Sequence, residues 1–191
     1  MRFGASIVNG APVHDNLLEI INIMSEVIHR SKQPGTPCLV VGVGNTLLKD
    51  DGIGIHVTNL LRDEDRLPDG CEIIDGGTIG LALLPAVEDS DALVIVDAAE
   101  IGEAPGVVKV FIDEEVDRHL SGKRRSVHEV AIVDLLAAAG IRDSRPRHCA
   151  LVAVQPESTD WGLEPTPSVQ EAIPAACEAI HNLTRRWRHE S

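Results

Sequence analysis

The chain has 191 residues, enough for one domain of ordinary size with a substantial core. Its 17 basic and 30 acidic residues give a net charge of −13, which argues against nucleic acid and an anionic membrane surface as partners. The aromatic residues are Phe3, Phe111, Trp161 and Trp187, too few for a platform on which bases or sugars stack. No apolar run approaches the length of a membrane span, and the N-terminus lacks the charged-then-apolar order of a signal peptide. The expected location is therefore the cytoplasm. Cys38, Cys71, Cys149 and Cys177 are far apart and form no CxxC pair. That spacing excludes a zinc site of the CxxC type and favours buried free thiols over disulfides.

In chain order, residues 1–36 read as an extension and residues 37–191 as the main domain. In the extension Leu17, Ile20, Ile21, Met24, Val27 and Ile28 share a helical face, Asp15 is placed as N-cap, and Gln33–Pro37 is a breaker. The main domain alternates. Strands are expected at Cys38–Val43, Cys71–Ile74, Ala92–Val96, Val107–Ile112 and Ala150–Val154. Helices are expected from about Asp51 to Arg62, from near Thr78 to Glu88, from Ser126 onward, and from the loop at Gln155–Pro167 to about Trp187. Residues 113–125 read as a charged loop. Most strands are continuous apolar runs, as expected where helices cover both faces. The fold class is α/β: a three-layer α/β/α sandwich with a mostly parallel five-stranded sheet. Ligands of such sheets bind at the carboxyl ends of the strands.

Several acidic and polar residues fall at those ends. Asp50 and Asp51 precede Gly52 and Gly54 after the first strand, in a loop whose glycines read as clearance for a ligand. Asp75 opens Asp75-Gly76-Gly77-Thr78. Asp97 ends a buried strand, where a carboxylate is costly unless paired, capped or bound to metal. His128 follows Ser126 in an S-x-x-E capping box with Glu129, on a helix whose apolar face is Val130, Ile132, Val133, Leu135 and Leu136. A helix N-terminus there favours a neutral ring able to bind metal, although a surface histidine has the higher prior. Asp51, Asp97 and His128 together make a mixed N/O set that Zn²⁺ and Ni²⁺ both accept, but no spacing rule makes them converge. Leu47 stands where a dinucleotide fingerprint needs its third Gly, and no P-loop or G-x-S-x-G is present.

Five ordered segments resemble one family. The run Gly42–Gly54, the Asp75–Thr78 motif, Val94-Ile95-Val96-Asp97-Ala98, the Ser126–His128 helix start, and Gln155–Ser158 with Gly162–Thr166 are similar to successive motifs of the [NiFe]-hydrogenase maturation endopeptidases. The likeness covers about residues 38–183. It implies an endopeptidase that removes the C-terminal extension of a hydrogenase large-subunit precursor after nickel insertion. It implies Asp51, Asp97 and His128 as ligands that recognise the nickel carried by the precursor, with zinc or another divalent metal as a possible occupant. It places Asp75, and in the alternative Asp50, in cleavage. Two other readings stay open: a nickel-checking factor of the same fold without activity, and a phosphorylase-like α/β enzyme.

Overall fold

The computed structural model describes residues 38–64, 67–78, 80–122 and 127–189. The extension expected over residues 1–36 lies outside them, as does Ser126 of the expected capping box. In chain order the elements are β1 (Cys38–Val43), α1 (Ile53–Asp63), β2 (Cys71–Gly77), α2 (Leu84–Glu88), β3 (Ala92–Ala98), β4 (Val108–Ile112), α3 (Glu114–Leu120), α4 (Val127–Ile141), β5 (His148–Val154), α5 (Pro167–Gln170) and α6 (Ile173–Arg188). Short 3-10 turns at Lys49–Gly52 and Leu81–Leu83 lead into α1 and α2.

The sheet order is β2-β1-β3-β5-β4, parallel except where β4 runs antiparallel to β5 at the edge. Alternation along the strands divides the core in two. Val40, Val94, Val96, Ala150 and Val152 face Ile53, Val57 and Leu61 of α1 and Ala176, Cys177 and Ile180 of α6. Leu39, Val41, Leu93, Ile95 and Leu151 face Val87 of α2, Val116 and Leu120 of α3, and Ile132, Leu135 and Leu136 of α4. This is the expected three-layer arrangement. All four cysteines are free thiols, three of them buried.

Several boundaries differ from expectation. Residues 113–125 contain a helix, α3, where a loop was expected; its core contacts come from Val116 and Leu120, four residues apart on one face. Asp97 lies inside β3 rather than beyond it. The second helix is a single short segment with Pro85 in its first turn, where proline starts a helix rather than bending one. On α4, Val130 is 45 % exposed and lies outside the apolar face.

The glycines of the first loop do not leave clearance for a ligand. A Cβ on Gly54 would stand 2.3 Å from the carbonyl oxygens of both Val43 and Val96, so this glycine lets α1 touch the ends of β1 and β3. A Cβ on Gly44, at φ +134°, would stand 1.8 Å from the Asp51 carbonyl oxygen. The space is filled by the chain's own backbone, which draws the helix start against the central strands. Gly54→Ala is expected to lower unfolding free energy by about 3 kcal/mol, the upper range for an overpacked core, with urea denaturation as the measurement.

Candidate functional site

The carboxyl ends of β1, β3 and β5 are joined by side-chain bonds to backbone amides. Asp50 is fully buried. Its Oδ2 accepts from the amides of Glu157 at 2.8 Å and Ser158 at 2.9 Å and from the Thr166 hydroxyl at 2.9 Å, while Oδ1 accepts from the Thr166 amide at 2.6 Å. Burial pushes this carboxyl up, but the bonds from Ser158, Thr166 and Glu157 outweigh it and hold the carboxyl below its ordinary value. The backbones of the two loops also pair: Lys49 N donates to Gly162 O at 2.8 Å and Gly162 N to Leu47 O at 3.0 Å. Lys49 is held at φ +44°, a left-handed conformation that costs a non-glycine residue about 1 kcal/mol or more. Gln155, at the end of β5, does the same for the loop after β3. Its Oε1 accepts from the amides of Ile101 at 2.9 Å and Gly102 at 3.1 Å.

Within this frame Asp51 and His128 meet. His128 Nε2 lies 3.0 Å from Asp51 Oδ2, and the same oxygen accepts from the Asn45 amide at 3.0 Å. Asn45 in turn accepts the Leu47 amide on its side chain, an Asx turn that shapes the loop. The start of α4, which carries His128, is fixed from behind. Buried Glu129 lies 3.3 Å from His119 Nε2 of α3, and His119 stacks on Phe111 of β4 with centroids 4.3 Å apart.

Asp97 is fully buried on β3; no hydrogen bond of good geometry reaches either side-chain oxygen, although the Ala98 amide beside it pulls the carboxyl down. Desolvation pushes its carboxyl well above the ordinary range; His128 pulls it down, while Asp51 and Glu129 push it further up. Asp97 thus shares an electrostatic neighbourhood with both members of the bonded pair. His128 is raised from its ordinary value by the Asp51 hydrogen bond, against desolvation, and by the charges of Asp97 and Asp51. The shift runs opposite to the one expected from the helix terminus, because the Asp51 hydrogen bond and the nearby carboxylates favour the charged ring.

The residues fit a cation in chemistry, with two carboxylates and an imidazole and two orphaned buried oxygens awaiting a positive partner. Among the described residues, however, no three His, Cys, Asp or Glu side chains already stand at metal-ligating geometry. Asp51 and His128 are bonded to each other instead. Asp50, put forward for cleavage, is anchored and sealed from solvent, which fits a positioning role rather than a general base. Asp75 is exposed at the end of β2, beside Gly42 of β1, and its Oδ1 accepts from the Gly77 amide at 2.9 Å. The structure does not bond it to Asp51, Asp97 or His128. The anchors Thr166 and Gln155 and the backbone of Ser158 were not singled out from sequence, although all lie in the C-terminal motif.

Comparison with known proteins places this arrangement. A family model described as hydrogenase maturation protease matches residues 55–183. The chain belongs to the hydrogenase maturation proteases. It is similar to the hydrogenase expression/formation protein HoxM of Azotobacter vinelandii, at 40% identity over 150 residues, 78% of this chain and 72% of that one. It is similar to the hydrogenase 2 maturation protease of Escherichia coli K12, at 38% identity over 143 residues, 74% of this chain and 87% of that one. Among solved structures, the hydrogenase maturating endopeptidase HybD from E. coli superposes with TM-score 0.72 at 38% identity, covering 78% of this chain and 92% of that one. The protease from Thermococcus kodakarensis superposes with TM-score 0.66 at 25% identity, covering 77% and 98%. Fold and peptidase class are thereby established for this protease. Among its described residues, no helix is long and apolar enough to cross a membrane.

The Asp50 anchor makes a direct prediction. Asp50→Ala removes a buried charge that accepts four hydrogen bonds and leaves three backbone amides without that partner. It is expected to cost about 3 kcal/mol in denaturant unfolding, whereas Trp161→Ala, at a side chain 80 % exposed, shifts stability by less than about 0.5 kcal/mol.

Proposed function

We propose that this protease cuts the C-terminal extension from a [NiFe]-hydrogenase large-subunit precursor after nickel has been inserted, and that the nickel in the precursor is its recognition element. The observation that carries this reading is Asp97: a fully buried carboxylate with two unpartnered oxygens, electrostatically coupled to a bonded Asp51–His128 pair. Such a group is stabilised by a proton or by an incoming cation. The likeness to the hydrogenase 2 maturation protease and to HybD supports a hydrogenase precursor as the substrate class.

In this reading Asp51, Asp97 and His128 turn toward the nickel of the bound precursor, and the Asp51–His128 bond opens as they do. The rigid frame around them holds the scissile segment still, which is where orientation lowers a barrier. Asp75 has a solvent-facing carboxylate on a stiff strand end, and it takes the proton of the attacking water. Asp50 acts through position alone, by fixing Asp51. Zinc matches the same donor set and would compete for it.

Purified precursor with and without nickel, followed by its size on a gel, tests this. The wild-type protease is expected to shorten only the nickel-loaded precursor. Asp51→Ala, Asp97→Ala and His128→Ala are each expected to slow that cleavage by about 100-fold or more. Asp75→Asn should lower the cleavage rate while leaving co-purification with the nickel-loaded precursor intact. Equal cleavage of nickel-free precursor, or full activity of His128→Ala, would overturn the recognition role.

A further inference from the structure

We propose that Cys38 and Cys71 are an oxidisable thiol pair, a modification site at the end of the sheet opposite the candidate active site. Cys38 is the first residue of β1 and Cys71 the first of β2, and the two are in-register partners of a parallel pair. In-register neighbours project to the same face of a sheet, and both side chains pack with the same core cluster. Adjacent strands lie about 4.8 Å apart, inside the Cα separation of about 4.4–6.8 Å that a disulfide spans. The two thiols are near enough for each to shift the ionisation of the other.

Access and charge distinguish the members. Cys71 is half-buried and Cys38 is 4 % exposed. Both line an open depression of about 240 Å³ whose other walls include Arg147, His148 and Arg188 against Asp69 and Asp91. The neighbouring Cys38 thiol, opposed by desolvation and aided by the charge of Arg188, holds the Cys71 thiol below its ordinary value; Cys71 and burial push Cys38 up. Cys71 is therefore the more accessible and more readily deprotonated of the two, which suits it to attack and Cys38 to resolve. The remaining thiols have neither feature. Cys149 is buried and pushed up to about 12, chiefly by desolvation, and buried Cys177 donates to the Val57 carbonyl at 3.8 Å.

With a peroxide as oxidant the step balances. The Cys71 sulfur attacks one peroxide oxygen, the O–O bond breaks, and the departing hydroxide takes up a proton to leave as water. The Cys38 sulfur, giving up its proton, attacks the resulting sulfenic acid; the S–O bond breaks, a second water leaves and the S–S bond forms. Two electrons pass from the thiol pair to the peroxide. The product fastens β1 to the edge strand β2 at their starts.

The test is a non-reducing peptide map by mass spectrometry of the folded full chain after one equivalent of hydrogen peroxide, with circular dichroism to verify the fold. The expected result is a linked Cys38–Cys71 peptide pair and an intact mass lower by two hydrogens, restored by dithiothreitol. A Cys149→Ala/Cys177→Ala variant should keep the link. Cys38→Ala should lose it and carry oxygen on Cys71 instead. Folded wild-type protein that forms no link, or that links through Cys149 or Cys177, overturns the proposal.

Discussion

The Asp50 carboxylate lies out of contact with solvent, and such a charge is tolerable only because the loop spanning residues 157–166 surrounds it with four hydrogen bonds. Those bonds settle the position of its neighbour. Asp51 follows it in a 3-10 turn whose first residue, Lys49, sits in a strained conformation that the backbone pairing with Gly162 helps to hold. Gly44 and Gly54 close the other side by letting the turn lie directly on β1 and β3. The orientation of Asp51 toward His128 is thus over-determined from two directions.

Against that rigidity stands Asp97, whose unpartnered oxygens are a cost the fold carries. The rest of β3 is apolar and fully embedded between β1 and β5, so the strand has cohesion to spare. A destabilised group held by a stable scaffold is common where a site must attract a charge rather than merely accommodate it.

Much of this was legible in the residues. The strands announced themselves as apolar runs, and the sheet's layering followed from their lack of alternation. The grouping of Asp51, Asp97 and His128 was not readable from spacing; the ordered motifs suggested it, and the fold brings two of the three into contact with the third close by in charge. Other features were hidden for physical reasons. A glycine in a sequence looks the same whether its missing Cβ makes room for a ligand or for the chain itself, so Gly52 and Gly54 were misread. The short helix α3 has only Val116 and Leu120 as core residues amid charge, too few to show a period. The ionisation of His128 depends on carboxylates that are 31 and 77 positions away in the chain, beyond the reach of a local dipole argument. Asp50 and Asp51 are adjacent and chemically identical; only the partners across the fold separate the clamped Asp50 from Asp51, which meets His128.

The spacing of the pieces has a consequence for biogenesis. Asp51 and His128 are separated by 77 residues along the chain, and the loop that clamps Asp50 begins 107 residues after it. The pair therefore has no existence in a nascent or half-collapsed chain, since closing such loops comes only with the long-range strand pairing β1–β3–β5. An unfinished chain offers scattered carboxylates, which grip a soft divalent ion poorly. The protease would then gain its Asp51–His128 pair only once its own fold is complete.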